Sequence, residues 1–161
     1  MNRVIKFRGK DIETGKWVYG FYVRLEDTFR KPIEGKERKT NRIYTGSADS
    51  CVDQTTGYDF SGDWYEVDPD TIGQFTGFYD RKGQEIYESD IITYLNHRMD
   101  GTGFIEQGKV EWRQEEGCYV FVNRFPTRDN RELVTPLIRC KEIMVIGNIH
   151  DNPEMLEGGE K

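Results

Sequence analysis

The chain has 161 residues, enough for one domain or two small ones, and its 13% aromatic content sets it apart from disordered sequences although 32% of its residues are charged. No stretch reaches the roughly 20 apolar residues of a membrane span, and the start MNRVIKFRGKD lacks the apolar core of a signal peptide, so a cytoplasmic protein with no membrane partner is expected. The formal charge of −6 hides a gradient: +6 over residues 1–44, −9 over 45–90 and −3 over 91–161, which permits one basic and one acidic face.

Along the chain the dominant period is two, and β-branched and aromatic residues fall in short runs bounded by Gly, Asn and Asp; this is the signature of strands. Residues 3–8, RVIKFR, and 16–24, KWVYGFYVR, both alternate and are joined by a turn ending in Glu13-Thr14-Gly15, predicting a hairpin. Residues 25–41 form a polar loop with Pro32, Gly35 and the cluster Lys36, Arg38, Lys39. NRIYTGSA, 41–48, predicts a third strand, and 49–62 a second polar loop before the strand at Trp64 to Val67.

Pro69 fixes its own φ and holds Asp68 away from helix, so Val67-Asp68-Pro69-Asp70-Thr71 reads as a turn. Gly73 and Gly77 within Ile72 to Phe78 predict a bulge or a close backbone approach. Asp80-Arg81-Lys82-Gly83 supplies another turn, and a strand enters at EIYESDIITYL. Five short strands follow from Ile91, at 91–95, 108–113, 118–123, 133–139 and 142–146, which suits an SH3-like barrel; Pro153 opens a helical turn near the end. The expected organisation is all-β: an N-terminal β-rich unit over 1–84, an SH3-like barrel over 85–157 and a flexible tail at 158–161.

The chemistry-bearing residues are few. Cys51, Cys118 and Cys140 form neither a disulfide framework nor a CxxC pair, and Cys118, inside CYVFV, reads as a buried, inert thiol. His97 and His150 are the two histidines, and neither lies at ligand spacing from a cysteine or from the other. Asp68, Asp70, Asp80, Glu85, Glu88 and Asp90 are the carboxylates that a general acid–base pair or hard-cation site would draw on, but each stands at a turn or strand end where Asp and Glu cap backbone. No GxxxxGK[ST] or GxGxxG loop is present. No catalytic, cofactor-binding or metal residue is therefore named, no small-molecule substrate is evident, and the protein is expected not to be an enzyme.

Two binding readings remain. Arg3, Lys6, Arg8 and Lys10 punctuate the first strand, with Trp17, Tyr19 and Tyr22 on the next, and a basic strand beside an aromatic one can hold a nucleic-acid backbone while stacking its bases. Trp64, Tyr65, Phe75 and Phe78 instead form the candidate interface for a protein partner or for a second copy of this chain, the reading preferred at this level.

The blocks IKFRGKD, WVYG, YEVDPDTIGQFTGFYDRKGQEIYESDII, GKVEW and IMVIGNIHDNPEML together resemble the YopX family of phage and prophage proteins. The resemblance covers the first 24 residues and nearly all of 64–157; Ser89 departs from it, since relatives commonly place glycine there. It implies a largely β protein with a C-terminal part similar to SH3-type barrels, encoded by bacteriophages or prophages and working in the bacterial host, and it carries over no site residue.

Overall fold

The computed structural model describes residues 4–26, 39–46, 62–123 and 132–156. Eleven strands are present among them: β1 Phe7–Lys10, β2 Trp17–Glu26, β3 Lys39–Tyr44, β4 Trp64–Glu66, β5 Gly73–Tyr79, β6 Glu85–Tyr87, β7 Asp90–His97, β8 Gly103–Arg113, β9 Cys118–Asn123, β10 Val134–Pro136 and β11 Lys141–Asn148. The protein is mainly β, every strand pairing is antiparallel, and only short 3-10 turns interrupt the strands among the described residues. The chain divides into two compact units between Gln74 and Phe75, inside β5 and ten residues before the boundary read from the sequence.

In the first unit the strand order is β4-β3-β2-β1, with the start of β5 on the other side of β1, where Arg8 pairs with Gly73. The β1–β2 hairpin forms where expected, though β1 begins at Phe7 and runs to Lys10 rather than spanning 3–8. Its turn is closed by Asp11, whose Oδ2 accepts from the Thr14 amide at 3.1 Å and the Thr14 hydroxyl at 2.6 Å, while the Gly15 amide donates to the Asp11 carbonyl at 2.8 Å. β2 and β3 approach so closely that a β-carbon on Gly20 would stand 2.0 Å from the Tyr44 carbonyl oxygen, so glycine is required there. One face of this sheet buries Gly9, Ile43 and Val67.

The turn predicted at 67–71 is a 3-10 turn over Pro69–Thr71. Asp68 caps it through the Asp70 amide at 3.1 Å, and the Thr71 hydroxyl oxygen ties it to β1 by accepting from the Lys10 amide at 2.8 Å. The loop expected over 25–41 is narrower than that, because β2 continues to Glu26 and β3 begins at Lys39. Residues 27–38, 47–61 and the tail 158–161 lie outside the described residues, as do Arg3 and Cys51.

In the second unit the sheet order is β10-β9-β8-β7-β11, and the rest of β5 pairs with β6. Ile86, Ile92, Tyr94, Val110, Tyr119, Phe121, Leu137, Cys140 and Ile143 form its core, with Phe78 and Val145 packed against it. No closed barrel is found among the described residues, so the SH3-like closure is not seen. The strand expected over 133–139 ends at Pro136, which lacks a ladder N–H, and gives way to a 3-10 turn at Leu137–Arg139. The single strand expected from Glu85 to Leu95 is broken by a turn in which Ser89 has φ 68, a left-handed conformation; the Ser89 amide donates to the Val110 carbonyl at 2.9 Å. Gly77, at φ 88, sits where the β5–β6 register shifts between Phe75 and Tyr79, the bulge its sequence context predicts.

Candidate functional site

Register decides which side chains share a face. Arg8 lies opposite Tyr19 and Lys10 opposite Trp17, so even positions of β1 and odd positions of β2 point the same way. Lys6, one residue before β1, follows the same alternation. The contacts agree: the Lys6 ammonium lies over the Tyr19 ring at 5.7 Å, the Arg8 guanidinium over Trp17 at 4.7 Å and the Lys10 ammonium over Trp17 at 5.5 Å from the ring centroid. Each such contact is worth about 0.5–1 kcal/mol at an exposed site. Five of the seven nucleic-acid candidates, Lys6, Arg8, Lys10, Trp17 and Tyr19, thus meet on one face, and Arg3 lies outside the described residues.

Tyr22 does not join them. Its even number sends it to the other face, where its ring packs 5.5 Å from Phe7 and its hydroxyl donates to Asn41 at 2.7 Å. Phe21 takes the place assigned to it: Trp17, Tyr19 and Phe21 succeed one another on the face, about 7 Å apart at the rise of a strand. Tyr19 is 44% and Phe21 46% exposed. The same face continues sideways, because Phe21 pairs with the buried Tyr44 and Tyr44 with Trp64, whose rings lie 5.0 Å apart. Phe21 and Tyr44 were legible in the alternation of KWVYGFYVR and NRIYTGSA, but register was needed to put them beside the cations.

The four residues of the candidate interface separate. Trp64 belongs to the face just described, and Tyr65, the next residue along β4, points the other way. Phe75 is 3% exposed in the second unit, packed at 5.6 Å against Tyr87, and Phe78 rests on that unit's core. Phe75 and Phe78 therefore serve packing.

Asp68, Asp80, Glu85 and Asp90 accept hydrogen bonds from amides or a hydroxyl of the surrounding chain. In the first unit Asp68 caps its turn. In the second, Asp80 accepts from the amides of Lys82 at 2.7 Å, Gln84 at 2.9 Å and Val145 at 3.3 Å. Burial alone would raise the Asp80 carboxyl, but these donors and the Lys82 charge outweigh it and hold the group below its ordinary value. Asp90 accepts from the Tyr87 amide at 2.8 Å, and Glu85 from the Tyr87 hydroxyl at 2.6 Å. Among the described residues no group of three or more His, Cys, Asp or Glu side chains is arranged to hold a metal ion.

Two further places in the second unit carry titratable groups. The Tyr94 hydroxyl is bonded to Glu106, and the Asn96 amide donates to Tyr94 at 3.2 Å; burial first, and the bond to Glu106 second, raise the Tyr94 phenol far above its usual range. Cys140 is pushed up to about 12 by burial and by the Glu106 charge, so it stays a thiol at neutral pH. Cys118, expected to be buried, is only half-buried because it opens β9 at the sheet margin, where it pairs with Arg113. A depression of about 310 Å³ beside Tyr79, Arg81 and Ile138 has Asp80 in its lining, already saturated as described.

No helix among the described residues is long and apolar enough to cross a membrane. The chain is similar to the crystal structure of protein EF1440 from Enterococcus faecalis, at 22% identity over 97% of this chain and 100% of that one, with a TM-score of 0.44. No curated protein matches it. The family model for YopX protein matches residues 6–157, nearly the whole length. This chain belongs to the YopX family.

Proposed function

We propose that the protein is a non-enzymatic binding protein that holds single-stranded nucleic acid on the β1–β4 face of its first unit. The observation that carries this reading is the shared face of Lys6, Arg8 and Lys10 with Trp17, Tyr19 and Phe21. A row of cations beside a row of part-exposed rings suits a polymer with one anionic and one flat aromatic group per repeat. Stacking of a base on an aromatic side chain contributes about 1–3 kcal/mol, more than the cation–ring contacts it would disturb. A duplex keeps its bases paired and stacked, so the flat row favours single strands. The setting we propose is the cytoplasm of a bacterium carrying a phage or prophage, as the family resemblance implies.

Fluorescence anisotropy of labelled single-stranded DNA, single-stranded RNA and duplex DNA across a salt series tests the reading. Single strands should be retained over duplex, more weakly as salt rises. No salt-sensitive retention of either single strand would sink it.

A protein partner or a second copy of the chain is the alternative. It is favoured by the β7–β8 hairpin, whose distal part exposes Met99 at 108% and Ile105 at 73%. A sedimentation profile that stays monomeric across protein concentration, with no nucleic acid retained, would leave only a foreign protein partner.

A further inference from the structure

Three cations of the first unit lie over ring faces on which a base would stack. Lys6 stands over Tyr19, and Arg8 and Lys10 over Trp17. Resting on the single-strand reading above, we propose that the face binds by exchange of partners: a base arriving on Trp17 or Tyr19 displaces a cation there, and the displaced cation pairs with the phosphate of the arriving nucleotide.

Two rings carry the exchange: Lys6 stands over Tyr19, and Arg8 and Lys10 share Trp17. Past Lys10 the chain turns at Asp11, whose carboxylate is held by Thr14.

Exchange is also the direction that relative strengths favour. A cation over an exposed ring is held weakly, whereas a phosphate pairs with it through charge-assisted hydrogen bonds and releases counterions. The vacated ring gains a stacked base. Arg8, 6% exposed, keeps its guanidinium plane close to Trp17, so the two lysines move further than the arginine does. No covalent step is involved.

The test is a titration of the full chain with oligothymidylates one to six nucleotides long, followed by NMR at the side-chain methylenes of Lys6 and Lys10. Ring currents from Tyr19 and Trp17 should displace these signals upfield in the free protein. The signals should return toward ordinary lysine positions on binding. Affinity should fall as salt rises, with a slope of log K against log salt of about −2 for three cations on three phosphates. An abasic strand of the same length should bind at least about tenfold more weakly, since it lacks the stacked bases. A salt-sensitive complex in which the lysine signals stay upfield, or one that the abasic strand forms equally well, would overturn exchange and leave single-strand binding standing. No complex at all would overturn both.

Discussion

Arg8 pairs across the ladder with Tyr19, yet its guanidinium lies over Trp17, two rungs further along, 4.7 Å from the ring centroid. The diagonal lean buries Arg8 to 6% exposure against the strand that carries the rings. Arg8 therefore contributes to the hairpin as well as to the charge of the face, and a compact ammonium cannot reproduce a stacked planar group. Arg8→Lys should lower the unfolding free energy by about 1–2 kcal/mol in urea denaturation, whereas Lys6→Gln, which loses one cation–ring contact, should lower it by about 0.5 kcal/mol. Equal effects would contradict the structural share assigned to Arg8.

Ser89 carries φ 68 at a turn whose backbone is fixed on both sides, its amide on Val110 and its carbonyl accepting from the Ile149 amide at 3.0 Å. A β-carbon in this conformation costs about 1–2 kcal/mol, and glycine removes that cost while adding some entropy to the unfolded chain. Ser89→Gly should raise stability by up to about 1 kcal/mol in chemical denaturation. A loss would mean that the serine side chain supports the turn.

Asp80 holds its turn through three amide donors while its pKa is depressed. A carboxyl lowered in the folded state stabilises fully above its unfolded value, near 4, and that stabilisation fades as pH falls through the folded value. Asp80→Asn should therefore be less stable than the parent by about 1–2 kcal/mol at neutral pH, with a deficit that shrinks below about pH 4. A deficit constant across that range would show that geometry, and not ionisation, sets the contribution.

Cys140 and Cys118 should differ in reactivity, since the former is buried with its thiol pushed up to about 12 and the latter half-buried at a strand end. Alkylation of the native chain near neutral pH, read by peptide mapping, should modify Cys118 well before Cys140. Simultaneous modification would indicate that the second unit opens readily at the 3-10 turn before Cys140.

Much of the strand order was legible in the sequence, because period-two alternation and turn residues are local signals. The hairpin at Asp11 to Gly15, the turn at Asp68 and the bulge at Gly77 follow from neighbours within five residues. The face shared by Lys6, Arg8, Lys10, Trp17 and Tyr19 was visible as composition, but the exchange of Tyr22 for Phe21 depends on cross-strand register, which no single strand specifies. Ser89 was opaque for another reason: a serine in a left-handed turn is a tertiary constraint overriding a local preference, and it divides what reads as one strand. Phe75 and Phe78 had the composition of an interface and the environment of a core, a distinction that burial alone makes.

The central claim is that the rings of the first unit hold bases. The most direct measurement is the dissociation constant of an oligothymidylate for the parent chain and for Tyr19→Ala combined with Phe21→Ala, two half-exposed residues, with a urea midpoint confirming the fold of the variant. Removal of two stacking platforms should weaken binding by at least about tenfold and leave the salt slope near its parent value, because the three cations remain. Undiminished affinity in a folded double variant would contradict the claim.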